Sequence, residues 1–263
     1  MADHRAPLHR VVGGAPAGGR VVLVHGFTQT LASWAEVGER LGRRREVVRV
    51  DLPGHGGSGA VRVGFARAAG LVGEAGGAAA YVGYSLGGRL CLRLALDRPD
   101  LVEALVLLGA SPGIAEPGPR AERRAADEAL AEAVERDGVA AFLDRWLAGP
   151  LFTGLGPGAA GRAERLANTP KGLAYALRRL GTGAQAPLWD RLAGLRPPAL
   201  LLAGERDAKF ATLAREMAAA AGPGARVALV AGAGHAAHLE RPAVVAALIE
   251  RFLGDPGAAA DPA

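Results

Sequence analysis

The sequence predicts an α/β protein: a mostly parallel central sheet, helices on both faces, and a helical cap inserted late in the chain. Three observations carry this reading. Short apolar runs of strand length alternate with stretches of helical periodicity. The strand-like runs are continuously apolar rather than alternating, as expected for strands buried on both faces. Between Gly109 and Pro197 the alternation stops, and four or five helical stretches follow one another.

Taken in order, the strand-like runs are Leu8–Val12, Arg20–Val24, Val47–Val50, Ala80–Gly83, Ala104–Leu108, Ala199–Ala203 and Arg226–Val230. Helical patterns fall at Leu31–Leu41, Phe65–Ala75, Leu86–Asp97, Thr212–Ala221 and Pro242–Leu253. Within the insertion they fall at Arg120–Arg136, Val139–Leu147, Ala159–Ala167, Gly172–Leu180 and Leu188–Gly194. Residues 1–111 and 197–254 are therefore expected to form the sheet domain, and 112–196 the cap. The Ala-, Gly- and Pro-rich residues 255–263 are expected to fray. A parallel sheet of this kind places its ligand at the carboxyl ends of the strands.

Composition narrows the function classes. A chain of 263 residues, half of them hydrophobic, can bury one large core. No apolar stretch approaches the roughly 20 residues of a membrane span. Met1 to Pro7 is polar and lacks a signal-peptide core, so a cytoplasmic protein is expected. The single cysteine, Cys91, excludes an internal disulfide and reads as a small buried residue. The net charge of +5 comes from arginine, with lysine only at 171 and 209, and no basic run exceeds Arg43-Arg44-Arg45. That pattern does not read as a nucleic-acid surface. The chain is read as a monomer.

Chemistry enters at Gly83-Tyr84-Ser85-Leu86-Gly87, which stands between an apolar run and a helical one. A serine in G-x-S-x-G between strand and helix is raised above the sheet on a strained turn. With 39 glycines the pattern also arises by accident, and it recurs at Gly109-Ala110-Ser111-Pro112-Gly113. Ser111 is rejected because the next residue must donate an N–H to an oxyanion and Pro112 has none. It is expected at the pocket rim. An elbow serine needs a base, and the base an orienting carboxylate, in the order serine, acid, histidine. Asp207 follows the run Leu200–Ala203, with Glu205 as a rival. His235 follows Val227–Val230 and a glycine-rich turn, with His238 as a rival. The Leu86 N–H and that of Phe27, after the run ending at Val24, are the candidate oxyanion donors. His55 reads as a turn residue.

These motifs resemble the α/β-hydrolase superfamily: H-G-F at 25–27, D-L-P-G-H-G at 51–56, G-Y-S-L-G-G at 83–88, G-E-R-D at 204–207 and A-G-H at 233–235. Narrower matches cover about residues 20–253. They are Arg89, R-A-E-R at 120–123, Phe142–Trp146 with P-L-F at 150–152, Gly172–Gly183, Q-A-P-L-W at 185–189, and the continuations Ala208-Lys209-Phe210 and Ala236–Glu240. In these the chain is similar to the 2-succinyl-6-hydroxy-2,4-cyclohexadiene-1-carboxylate synthase family of menaquinone biosynthesis. The resemblance implies a lyase of α/β-hydrolase fold that eliminates pyruvate from a cyclohexene carrying a succinyl chain. Ser85, deprotonated through His235, would take a ring proton, and Asp207 would hold the imidazole. No metal or cofactor is implied.

A substrate with several carboxylates calls for converging arginines. Arg89 lies one helical turn after Ser85. The resemblance adds Arg123, with Arg120 and Arg124 as near rivals, and Trp146, for which plain core packing is the rival. Tyr84, beside the nucleophile, is a candidate hydroxyl donor, and the resemblance adds a third arginine before Gly172, for which Arg165 is the best candidate although spacing does not settle it. Residues 112–187 carry ten Lys/Arg against nine Asp/Glu, so any anion site there comes from placement, not bulk charge. Two alternatives stand beside this reading. A carboxylic-ester or C–C bond hydrolase would use the same triad without needing Arg89 and Arg123. A non-catalytic receptor on this fold would carry an impaired triad.

Overall fold

The computed structural model describes residues 7–156 and 158–255, so most of the expected tail lies outside the described residues. In chain order the elements are β1 (Arg10–Gly14), β2 (Arg20–Val24), α1 (Ala35–Gly42), β3 (Glu46–Val50), α2 (Phe65–Gly76), β4 (Ala79–Tyr84), α3 (Leu86–Asp97), β5 (Val102–Leu108), α4 (Pro117–Leu147), α5 (Arg162–Arg165), α6 (Pro170–Leu180), β6 (Ala199–Gly204), α7 (Ala208–Ala221), β7 (Ala225–Val230), α8 (Ala237–Glu240) and α9 (Pro242–Gly254).

The strands form one seven-stranded sheet in the order β1-β3-β2-β4-β5-β6-β7. Every pairing is parallel except that of β1 with β3. Alternate strand residues feed two different cores. Val22, Val24, Val48, Tyr81, Leu105 and Leu107 pack with α2, α3 and α7. Val21, Leu23, Val82, Val106 and Leu108 pack with α1 and α9. That double covering is why β4 and β6 are buried at every position, as their unbroken apolar sequence requires. Among the described residues no helix is long and apolar enough to cross a membrane.

Several boundaries differ from the sequence expectation. β1 starts at Arg10, not Leu8; Leu8 is buried in the core, whereas the edge strand itself is exposed along its length. The expected helix 31–41 begins as a 3-10 turn, Leu31–Trp34, capped by the Thr30 side chain. α7 starts four residues early because the Asp207 carboxylate caps it, accepting from the Phe210 N–H. The expected 159–167 helix shrinks to α5, entered through Gly161 in a left-handed conformation.

Between β5 and β6 the insertion builds its own small core. Ala131, Val134, Phe142 and Leu143 of α4 meet Leu173, Ala174 and Leu177 of α6, with Phe27 and Trp146 packed against them. α4 is broken at Gly138, whose φ of 79° is not helical.

Packing at the start of α3 is close enough to admit only glycine. A Cβ on Gly87 would lie 2.3 Å from the Val24 carbonyl oxygen and 2.5 Å from that of His25. Both are backbone atoms and cannot swing aside. Gly87→Ala is therefore expected to cost about 3 kcal/mol by forcing α3 off β2. In a chain of this size that lowers the melting temperature by roughly 6–12 °C. A calorimetric melt checks it, and an unchanged Tm would contradict the packing argument.

Candidate active site

The sheet order places the site. The chain runs from β2 outward to β3, then crosses back to start β4 on the other side of β2. Loops leaving β2 and β4 thus diverge and open a crevice at the strands' carboxyl ends. Ser85 stands there, between β4 and α3, at φ 50° and ψ −109°. Its N–H donates to the Leu108 carbonyl at 2.9 Å, and its own carbonyl accepts from Arg89 N at 3.0 Å. Positive φ on a residue with a Cβ costs of order 1–3 kcal/mol. Among the described residues just two non-glycines adopt it, Ser85 and Thr28, and both are at this crevice.

β6 and β7 deliver the polar partners. His235 Nδ1 and Asp207 Oδ2 are 2.6 Å apart. An ionised carboxylate only accepts, so Nδ1 carries the proton and donates it, and Nε2 is left to act as a base. Phe210 and Tyr84 pack on the ring, with centroids 4.5 and 5.2 Å away. Ser85 and His235 line one cavity. Among the described residues no hydrogen bond is closed between them, as is common in unliganded sites. The rivals lie elsewhere. Glu205 is exposed and accepts from the Gly232 N–H. His238 is buried against Trp34 and Tyr84, and its Nε2 meets Gln29 Nε2 at 3.2 Å.

The loop after β2 supplies donors. Neither the Phe27 nor the Leu86 N–H has a hydrogen-bond partner among the described residues. Unpaired N–H groups at a buried turn mark a place for an acceptor. A polar frame that sequence spacing did not reveal fixes this loop. His25 accepts from the Leu52 N–H at 3.0 Å and donates through Nδ1 to the Gly26 carbonyl. His55 accepts from the Thr28 N–H at 3.3 Å. Asn168 donates to the Thr28 carbonyl at 2.7 Å, and Arg165 donates to the Thr28 hydroxyl. Gln29 accepts from the Gly26 N–H at 3.1 Å and donates to His238.

The three framing imidazoles therefore work as neutral acceptors. Burial, opposed in part by Asp51, lowers the His25 pKa to about 4. Burial and His25 lower that of His55 to about 3. Burial, together with Arg165, holds His238 well below its ordinary value. A histidine with a lowered folded pKa stays neutral in the fold while the unfolded chain takes up a proton. Its stability contribution is complete above pH 6.5 and is lost as the pH falls toward the folded value. Each contributes a slope of roughly 1.4 kcal/mol per pH unit in that window. The expected result is a Tm that is flat above pH 7 and drops steeply between pH 6.5 and 4.5 in thermal melts. A flat profile down to pH 4.5 would contradict it.

The cavity above Ser85 holds about 140 Å³ and is lined on one side by residues of the insertion. Phe27, Leu86, Trp146, Leu177, Phe210 and His235 supply its walls. Three cations also line it, Arg89, Arg123 and Lys209. Arg89 is buried on α3; its guanidinium donates to Gln185 Oε1 at 2.7 Å and to the Leu180 carbonyl at 2.9 Å, and lies over the Phe65 ring. No carboxylate pairs with it among the described residues. Burial and the neighbouring Arg123 charge lower its pKa to about 9. Arg123 is held by its Nε on Asp127 Oδ1 at 2.7 Å. Trp146 stacks on Phe142, and its indole N–H is buried without an acceptor.

Two expected site residues are placed elsewhere. Tyr84 is 3 % exposed, wedged between His235 and His238, and does not line the cavity. Arg165 is absent from the Ser85 cavity because its guanidinium is engaged by Thr28 and the Ala160 carbonyl. It lines an adjoining cavity of about 220 Å³ with Gln29 and His238. Conversely, Lys209, to which the sequence motifs assign no role, lines the Ser85 cavity. Its position two residues after Asp207, on the first turn of α7, carries it to the same sheet edge. Ser111 sits on the cavity wall, as its place at the end of β5 predicts.

An elbow serine facing a carboxylate-held imidazole at a switch point defines a class of catalytic α/β protein. The chain is an enzyme of the alpha/beta hydrolase family, whose sequence model matches residues 21–248. It is 36% identical over 251 residues to 2-succinyl-6-hydroxy-2,4-cyclohexadiene-1-carboxylate synthase of Salmonella schwarzengrund (strain CVM19633), covering 91% of this chain and 96% of that protein. MenH from S. aureus superposes with a TM-score of 0.87 at 30% identity, over 95% of this chain and 99% of that one. The enol-lactonase from Burkholderia xenovorans LB400 superposes with a TM-score of 0.71 at 25% identity, over 94% and 96%.

Proposed function

We propose that the chain is a 2-succinyl-6-hydroxy-2,4-cyclohexadiene-1-carboxylate synthase of menaquinone biosynthesis. The observation that carries this reading is Arg89. A guanidinium buried beside the nucleophile and hydrogen-bonded only to neutral partners among the described residues is costly, because Asp127 offsets its lost hydration only through space and only in part. A carboxylate entering the cavity would supply the opposite charge. With Arg123 and Lys209 beside it, the cavity offers three cations. The substrate, 2-succinyl-5-enolpyruvyl-6-hydroxy-3-cyclohexene-1-carboxylate, carries three carboxylates. A pocket for a neutral ester has no use for them.

The reaction then follows from the remaining groups. His235 Nε2 takes the Ser85 hydroxyl proton, and the Asp207 carboxylate stabilises the resulting imidazolium. The Ser85 alkoxide removes the ring proton next to the succinyl ketone, and the electron pair moves onto the ketone oxygen. The Phe27 and Leu86 N–H groups hold that oxygen as it becomes negative. The electrons return through the ring: the C3–C4 double bond shifts, a conjugated diene forms, and the C5–O bond breaks. Enolpyruvate leaves, takes the proton from His235 and becomes pyruvate. No water is consumed. The cap formed by 112–196 excludes water that would divert the anion.

Product analysis tests the reading. The purified chain, given this substrate, is expected to yield the cyclohexadiene acid and pyruvate in equal amounts. A product that has gained the elements of water would contradict elimination and favour a hydrolase.

A further inference from the structure

The Arg89 anchor has an unexpected chemical identity. Gln185 is 1 % exposed and lies just after the end of α6. A guanidinium only donates, so the amide must turn its oxygen toward Arg89. The amide nitrogen, Gln185 Nε2, is thereby left buried without an acceptor. Glutamate has nearly the same shape. It would meet Arg89 as an ion pair and would have no orphaned donor, since a carboxylate only accepts. Exchanging one group would thus relieve both an unpaired cation and an unsatisfied amide. The nearby acid compensates only in part, through space, and makes no ion pair with Arg89 among the described residues. Asp127 is committed through Oδ1 to Arg123 and through Oδ2 to the Gly183 N–H.

We infer that Gln185 is a positioning residue that fixes the Arg89 guanidinium while leaving its charge unneutralised, so that a carboxylate ligand is required to complete the site. This rests on the polycarboxylate reading of the cavity. An amide orients the guanidinium as well as a carboxylate would, but does not compete with the ligand for its charge. The sequence accepts two local costs to keep the anion site open, the kind of local conflict that marks function.

The test is Gln185→Glu, alone and in an Arg89→Met background, with Gln185→Met as the neutral comparison. Three readouts are followed: melting temperature, the kinetics of pyruvate release, and calorimetric binding of citrate as an inert tricarboxylate probe. Gln185→Glu is expected to melt several degrees higher than wild type. It is expected to raise KM by about 10- to 100-fold, with kcat within about threefold, and to weaken citrate binding about tenfold. Gln185→Met, which loses the anchor but adds no charge, is expected to raise KM less and to gain no thermal stability. In the Arg89→Met background the same glutamate should leave KM unchanged and should lower Tm, being then unpaired. Gln185→Glu with wild-type KM and citrate affinity would overturn the inference, as would its failure to fold or a lower Tm. If wild type releases no pyruvate, the substrate reading falls, and citrate binding with the stability pair still decides the role of Gln185. Wild type that binds no citrate and releases no pyruvate would overturn both.

Discussion

Ser85→Ala is expected to reduce pyruvate release by roughly 10⁴- to 10⁶-fold, the scale seen when a triad nucleophile is removed. In the proposed mechanism the hydroxyl takes up the substrate proton after giving its own to His235, and no other side chain stands in its place on the elbow. The fold should be indifferent, because alanine meets the same positive φ that serine does. Ser85→Gly separates the two roles further. It removes the hydroxyl and also the Cβ that makes this conformation costly. It is expected to be equally inactive while melting roughly 2–4 °C higher, the shift that corresponds to about 1 kcal/mol. Stopped assays and melts on the two variants check this. Substantial activity in either would remove Ser85 from the mechanism.

Arg89→Met is expected to lower kcat/KM by roughly 10²- to 10³-fold, mostly through KM. A buried charge-assisted pair is worth about 3–4 kcal/mol to the ligand when it replaces no other pairing. Methionine keeps much of the side-chain volume beside Phe65, so the packing on α3 survives. Because the guanidinium pairs with no carboxylate among the described residues, its removal should leave the melting temperature unchanged or raise it. Loss of function with gained stability is the signature of a residue held for its ligand. A drop in Tm with unchanged KM would mark Arg89 as a structural residue instead.

How far the sequence discloses this protein depends on the range of the interactions involved. The interior strands are legible because burial on both faces forces unbroken apolar runs such as Ala199–Gly204, a local signature. The elbow is legible because strain at Ser85 demands glycine at 83 and 87, where a Cβ would meet backbone. Asp207 and His235 are legible because each directly follows a strand ending at one sheet edge. The frame around the oxyanion loop is not. His238 reaches Gln29 across 209 residues and Asn168 reaches Thr28 across 140, and no spacing rule links them. Arg165 shows the same limit from the other side. The resemblance directs it to the substrate, whereas the geometry engages it on Thr28, and nothing in its neighbours' sequence distinguishes the two. Tyr84 is adjacent to the nucleophile in sequence, yet the turn rotates it behind the wall, against His238. Positive φ at Thr28 carries no compositional mark, since threonine is an unfavourable residue for it.

The central claim is that this site eliminates pyruvate from a tricarboxylate and does not hydrolyse neutral esters. The most direct test compares kcat/KM for pyruvate release from 2-succinyl-5-enolpyruvyl-6-hydroxy-3-cyclohexene-1-carboxylate with that for p-nitrophenyl acetate cleavage by the same preparation. The account predicts pyruvate release above about 10⁴ M⁻¹s⁻¹, within the range of enzymes on their own substrates, with ester cleavage lower by at least about 10²-fold. Efficient ester cleavage without pyruvate release would contradict it.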